Sequence, residues 1–172
     1  SFYDREGNPF ESSPEYILRK AHRAFQESTG LQMETMGELE YYIIADDEEI
    51  YPVPDQKGYH ESRPFNKFTD YRVEAMRLIA QAGGMIKYGH SEVGNFTLDG
   101  KIYEQNEIEF LPTNIEDAAD QLVIAKWIMR QLAYEYGVTL TFAPKITVGK
   151  AGSGMHVHCK FTKDGKSVMI EN

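Results

Sequence analysis

Met36-Gly37-Glu38-Leu39-Glu40-Tyr41-Tyr42-Ile43-Ile44 is the stretch on which the reading of the fold turns. Its aromatic and β-branched tail marks a strand. Successive strand side chains point to opposite faces, so Leu39, Tyr41 and Ile43 form one side. Glu38, Glu40 and Tyr42 form the other, with the two carboxylates about 6–7 Å apart. That face is either a solvated acidic surface or a pair of hard oxygen donors suited to Mg²⁺ or Mn²⁺.

Upstream, Ser13-Pro14-Glu15 starts a helix: an N-cap serine, proline at the first helical position, and an acid in the first turn. Ile17, Leu18, Ala21, Ala24 and Phe25 recur at helical spacing until Gly30. Downstream, positions 45–67 form a polar loop carrying Gly58-Tyr59-His60, longer than connectors usually are. Thr69 is expected to cap a helix through Val73, Met76, Ile79 and Ala80, ended by Gly83-Gly84. Met85 to Val93 reads as a strand with Glu92 near its end. Leu98-Asp99-Gly100-Lys101 is a hairpin turn, and the return strand runs from Ile102 to Leu111. There Glu107 and Glu109 share a face, and the ladder could bring Glu92 close to Glu107. Like-charged carboxylates that close call for something positive between them, either a divalent cation or a lysine or solvent.

Asn114 caps the longest helix, whose apolar stripe is Ala118, Leu122, Ala125, Met129, Leu132 and Tyr136, with Trp127 expected to pack. Val138 to Phe142 is a short strand. Ala151-Gly152-Ser153-Gly154-Met155-His156-Val157-His158 then joins a glycine-rich notch to a strand with two same-facing imidazoles. They are either solvent-facing histidines or ligands. Lys163-Asp164-Gly165-Lys166 is a second hairpin turn, and Val168 to Asn172 reads as a strand without a terminator.

The chain has 172 residues, 41% hydrophobic and 12% aromatic, which suits a folded single domain, 1–172, with a sizeable core. A formal net charge of −9 argues against nucleic acid or an anionic membrane as partner. The one cysteine, Cys159, leaves no internal disulfide and suits a reducing, cytoplasmic setting. No apolar run approaches the ~20 residues of a membrane span, and no signal-peptide pattern opens the chain. Both ends read as truncated. No Gly-x-x-x-x-Gly-Lys loop, Gly-x-Gly-x-x-Gly motif or serine elbow is present, so a nucleotide would be held by metals and basic side chains. The expected class is α+β: a mainly antiparallel, curved sheet with helices packed on one face and the metal groove on the other.

Taken together, the acids and histidines make a mostly oxygen ligand set with one or two nitrogens, as Mg²⁺ or Mn²⁺ prefers. Two such ions facing a groove suit phosphoryl transfer. Glu38-Leu39-Glu40 after Gly37, Ser91-Glu92-Val93, Gln105-Asn106-Glu107, Pro144-Lys145 and Gly152-Ser153-Gly154-Met155-His156-Val157-His158 occur in the order found in glutamine synthetases. The chain resembles the catalytic domain of that family over nearly its whole length.

The resemblance implies an ATP-dependent ligase of nitrogen metabolism and glutamine biosynthesis. It would join ammonia to glutamate through a γ-glutamyl phosphate, in a homo-oligomeric ring. Carried over, Glu40, Glu92 and Glu107 would hold one ion, and Glu38 and His156 the second. Glu92, His156 and Tyr59 would serve catalysis, Tyr59 at the ammonium site. Gly152 and Ala151 would approach glutamate, and His158 with Lys160 the nucleotide. Ala151 stands where asparagine is usual, Lys160 where serine is, Ser91 where histidine is, and Lys87 where an acid often is. Asn95 to Tyr103 looks inserted. The family's N-terminal domain and its downstream half, with a catalytic glutamate loop, substrate arginines and a further metal-binding glutamate, are not among these residues, so the fragment is expected to be inactive alone. A γ-glutamyl ligase for a larger amine, or a catalytically dead relative working by assembly, are the alternatives.

Overall fold

A computed structural model describes residues 1–170 of the chain. The elements run α1 (Pro14–Thr29), β1 (Gln32–Asp46), α2 (Thr69–Gln81), β2 (Ile86–Leu98), β3 (Lys101–Phe110), β4 (Thr113–Asn114), α3 (Ile115–Glu135), β5 (Thr139–Thr141), β6 (Met155–Lys163) and β7 (Lys166–Ser167). The strands are ordered β2-β3-β1-β6-β7, with β4 and β5 also on β1. The ladders of β1 with β3, β4 and β5, of β2 with β3, and of β6 with β7 are all antiparallel, so the α+β class holds. The chain forms two compact units. One comprises Ser1–Met36, Pro112–Asp120 and the residues from His158 on; the other comprises Gly37–Leu111 and Gln121–Val157.

In the first unit, α1 begins as its sequence dictates. The Ser13 hydroxyl accepts from the Tyr16 N–H, and Gly30 ends the helix in the left-handed region at φ 69°. Glu116 ties the start of α3 to α1 by accepting from Arg19 and pairing with His22, each at 2.9 Å. The Asn114 side chain accepts from the N–H groups of Glu116 and Asp117, as expected of a cap. The β6–β7 hairpin turns at Asp164-Gly165, both at positive φ. Val168 to Ile170 lies beyond β7 and forms no strand, contrary to expectation, and Glu171 and Asn172 fall outside the described residues.

The second unit holds the larger core. Leu39, Tyr41 and Ile43 from β1 and Ile108 and Phe110 from β3 point to one face. There they meet Tyr71, Ala75 and Ile79 of α2 and Ala125, Met129, Leu132 and Ala133 of α3. Burying each large apolar side chain contributes about 1.5–3 kcal/mol. Tyr71 stays satisfied by donating its hydroxyl to the Met129 carbonyl at 2.6 Å.

Two helix readings need correction. Thr69 is the first helical residue of α2 rather than its cap; Phe68 precedes it without a capping side chain, and the Thr69 hydroxyl donates to Asn66. The buried residues of α2 are Tyr71, Arg72, Ala75 and Ile79; of the stripe read in sequence, Ile79 is buried and Met76 packs against the core, whereas Val73 and Ala80 are exposed. On α3, Ala125, Met129 and Leu132 are buried, but Trp127 is 63% exposed and packs into no core here.

Candidate metal centre

The acidic face of the second unit is assembled by strand register. Glu38 lies directly opposite Glu109, and Glu40 opposite Glu107, across the β1–β3 ladder. Like charges directly opposite on a sheet are destabilising, so this face holds a standing repulsion that the apolar face behind it must offset.

The β2–β3 hairpin turns as expected at Asp99-Gly100, both at positive φ (51° and 71°), as a type I′ turn requires. Its register pairs His90 with Glu107 and Ser91 with Asn106, then resumes at Asn95 with Glu104. The extra residues of β2 between those pairs form a bulge, and Glu92 sits in it. A bulge re-aims side chains, so Glu92 reaches the groove without occupying the register position opposite Glu107. Gly94 makes the bulge possible: a Cβ there would overlap the Tyr42 hydroxyl and stand 2.6 Å from Gln105 Oε1.

The 45–67 loop docks its second half on this bulge through its backbone. Gln56 N–H donates to the Asn95 carbonyl, Gly58 N–H to Val93 and His60 N–H to Ser91, at 2.9–3.3 Å. A Cβ on Gly58 would meet the Glu92 carbonyl at 2.6 Å, so this approach is open to glycine alone. The docking brings the Tyr59 ring to 5.5 Å from that of His90.

The glycine-rich stretch is held from below. Gln105 Nε2 donates to Glu40 Oε2 at 2.8 Å and to the Gly152 carbonyl at 2.9 Å. The Tyr42 hydroxyl donates to the Ala151 carbonyl at 2.8 Å, and Ala151 N–H donates to Gln56. With the loop pinned, His156 at the start of β6 presents Nδ1 at 3.1 Å from Glu38 Oε2 and 3.8 Å from Glu40 Oε1.

Two ligand clusters result. Glu38, Glu107 and His156 each offer a donor atom within 4.8 Å of the others, and so do His90, Glu92 and Glu107. Glu107 belongs to both. It is 5% exposed, and its Oε1 is buried without a hydrogen-bond partner among the described residues. A buried carboxylate oxygen with nothing to accept, among further carboxylates and imidazoles, fits a divalent cation.

The protonation equilibria carry the same strain. Burial, then repulsion from Glu92 and Glu38, holds the Glu40 carboxyl above its ordinary range. Burial and the charge of Glu107 do the same to Glu92. His90 is raised chiefly by its hydrogen bond to Glu107. Glu109 is the exception. Burial would raise it, but Lys87 at 2.7 Å and a hydrogen bond from Tyr88 bring it below the usual value.

Of the residues singled out in sequence, Glu38, Glu40, Glu92, Glu107 and His156 gather on this one face, Tyr59 stands at its edge, and Ala151 and Gly152 border it through backbone groups. His158 and Lys160 belong to the first unit, where Lys160 pairs with Glu34 at 2.9 Å. The sequence reading missed His90. Its signal was available: Tyr88, His90 and Glu92 alternate at strand spacing, so His90 shares the face of Glu92. It missed Gln105 as an organising residue too, since an internal amide advertises its partners only in three dimensions.

The family described as glutamine synthetase, catalytic domain, matches the chain over residues 11–172. The chain is similar to the glutamine synthetase of Methanosarcina mazei, 31% identical over 172 residues, covering 98% of this chain and 36% of that one. It is 27% identical to that of Thermus thermophilus, covering 98% and 37%. Among solved structures, a Plasmodium falciparum glutamine synthetase superposes with a TM-score of 0.80 at 20% identity, over 98% of this chain and 37% of that one. A crystal structure described as a novel glutamine synthase homolog gives 0.76 at 20%, over 97% and 36%. The chain thus spans little more than a third of the length of the curated relatives it matches.

Proposed function

The chain belongs to the glutamine synthetase catalytic-domain family, and on that premise we propose that it carries the metal-binding part of an ATP-dependent ligase that joins ammonia to glutamate. The observation that carries the reading is the pair of ligand clusters sharing Glu107, whose buried Oε1 has no hydrogen-bond partner among the described residues. Bound Mg²⁺ or Mn²⁺ would neutralise charge on the nucleotide phosphates and the glutamate carboxylate, making the γ-carboxylate a phosphoryl acceptor.

The chain's own residues do the rest. Glu38 and His156 would hold one ion with Glu107, and Glu92 and Glu107 the other, with Glu40 beside both. Gln105 fixes the direction in which Glu40 presents its carboxylate. Tyr59, docked through Gly58, offers a ring face and hydroxyl where an ammonium ion would be received. Gly152, whose missing Cβ lets the Pro144 carbonyl pack against it, would face glutamate through its backbone, and His158 and Lys160 are the candidates for the nucleotide. Catalysis, the cytoplasmic setting and assembly into a homo-oligomeric ring are proposals for the longer protein. Among the described residues, no helix is long and apolar enough to cross a membrane.

The 172-residue chain alone should bind Mn²⁺ or Mg²⁺ yet show neither γ-glutamyl transfer nor ATP hydrolysis. Calorimetric titration of the purified chain, with both assays alongside, tests this. Absence of metal binding would remove the reading; turnover would overturn the expected inactivity of the fragment. A second reading, a larger amine in place of ammonia, is favoured by one observation. The rings of His60 and Tyr88 join Tyr59 around His90, at 4.5–5.5 Å from it, adding faces that an alkylammonium could use. An amine panel on the longer protein separates the two.

A further inference from the structure

His90 stands in the same groove as the carboxylates, yet no expectation drawn from the sequence gave it a task. Its Nδ1 lies 3.0 Å from the Ser91 carbonyl. A carbonyl only accepts, so that nitrogen carries the proton, and in the neutral ring Nε2 is the lone-pair side. Nε2 faces Glu107 Oε2 at 3.1 Å and Glu109 Oε1 at 3.8 Å, both acceptors. Two acceptors turned toward one another need a positive species between them: a second proton on the ring when no ion is bound, which makes the hydrogen bond to Glu107, or a cation in its place. Glu109 already has Lys87 at 2.7 Å, whereas Glu107 has a second, buried oxygen without a hydrogen-bond partner among the described residues.

We propose that His90, through Nε2, is a ligand of the divalent cation held by Glu92 and Glu107. The proposal rests on the metal reading above and deepens it. A distal nitrogen donating to a backbone carbonyl is how metal-binding histidines are oriented. The ring is also fixed by its neighbours: Tyr88 stacked at 5.4 Å, His60 tilted at 4.5 Å and Tyr59 edge-on at 5.5 Å between centroids. A donor held this rigidly is preorganised. The consequence is a mixed nitrogen–oxygen site in place of an all-oxygen one, which moves its preference from Mg²⁺ toward Mn²⁺, Co²⁺ and Zn²⁺.

Pulsed EPR on the Mn²⁺-loaded chain counts the imidazole nitrogens coupled to the ions. Two inequivalent couplings are expected, one from His156 and one from His90. His156→Gln should leave one and His90→Gln the other, with Mn²⁺ affinity in His90→Gln falling at least about tenfold and Mg²⁺ affinity falling less. A single coupling that disappears in His156→Gln and is unmoved by His90→Gln overturns the proposal while leaving the metal reading intact. Failure of the chain to bind Mn²⁺ overturns both. Circular dichroism checks that each variant is folded. Should His90→Gln and His90→Asn both fail that check, His156→Gln decides by itself: a remaining histidine coupling supports the assignment, and its absence ends it.

Discussion

Gln105 Nε2 donates to Glu40 Oε2 across 2.8 Å, joining two adjacent strands at the floor of the groove. The same amide holds the Gly152 carbonyl, and its oxygen accepts from Gly94 N–H at 3.0 Å. One side chain thus sets a carboxylate, a substrate-side loop and the bulge that aims Glu92. Gln105→Leu keeps the volume and removes these bonds together with a longer one to Ser153 Oγ at 3.4 Å. It should cost roughly 1–3 kcal/mol in urea unfolding, because buried partners are left unsatisfied. Mn²⁺ affinity should fall by about 10–100-fold, as when an outer partner of a ligand is lost. Unchanged affinity by titration would show that Glu40 needs no such support.

Glu107 lies opposite Glu40 in the ladder and belongs to both ligand clusters. Glu107→Gln keeps its shape but removes a charge from a face crowded with like charges. Stability and binding should therefore move in opposite directions. The metal-free variant should melt higher than the parent, since like-charge repulsion is relieved, while Mn²⁺ binding should be lost from both sites. A metal-free variant that melts lower than the parent would mean that the repulsion is not what this face holds in reserve.

The pH dependence follows from the same groups. Glu40 and Glu92 have folded pKa values above the ordinary 4.5 of a glutamate, and His90 above the ordinary 6.5 of a histidine. Each binds its proton more tightly when folded, so its contribution is lost as pH rises through the folded value and regained as pH falls. Glu109 has the opposite sign: its contribution is present above 4.5 and lost as pH falls through its lowered value. The metal-free chain should gain melting temperature as pH is lowered from about 7.5 to about 5.5, then lose it in stronger acid. Saturating Mn²⁺ should add most at the upper end, where the carboxylates are ionised. A melting temperature rising steadily with pH in the metal-free chain would contradict this.

What was legible in the sequence was what local chemistry dictates. Ser13-Pro14 and Gly30 bound α1, Asp99-Gly100 sets its turn, and alternation places Glu38 and Glu40 opposite the core-facing Leu39 and Tyr41. Convergence of Glu92 and Glu107 was legible too, through the hairpin, although the bulge rather than plain ladder pairing achieves it. The rest depended on contacts distant in sequence. Trp127 reads as apolar and therefore packed, but among the described residues it stays 63% exposed. The buried side of α2 was read only in part: Ile79 was legible, whereas Tyr71, an amphipathic residue, enters the core by donating to the Met129 carbonyl. His90 was overlooked although its alternation with Glu92 was legible, because what it does shows only once Ser91, Glu107 and three aromatic rings stand around it.

A buried polar network next to the groove yields the last expectation. Glu104 is 1% exposed and accepts from Asn66 Nδ2 and Lys67 N–H, both at 2.6 Å, from Phe68 N–H and from Asn106. Burial holds its carboxyl above the ordinary range, while these donors and the Arg72 charge pull it down. Arg72, itself buried, donates to Asn66 and Asn106 and so closes the network between α2, the end of the long loop and β3. Arg72→Met should remove the positive charge near Glu104 and leave the Asn66 and Asn106 oxygens short of a donor, at a cost of about 1–3 kcal/mol. Adding Glu104→Gln should return part of that loss, because an amide tolerates the uncharged surroundings better than an isolated carboxylate. Additive losses in the double variant would mean that the two residues act separately.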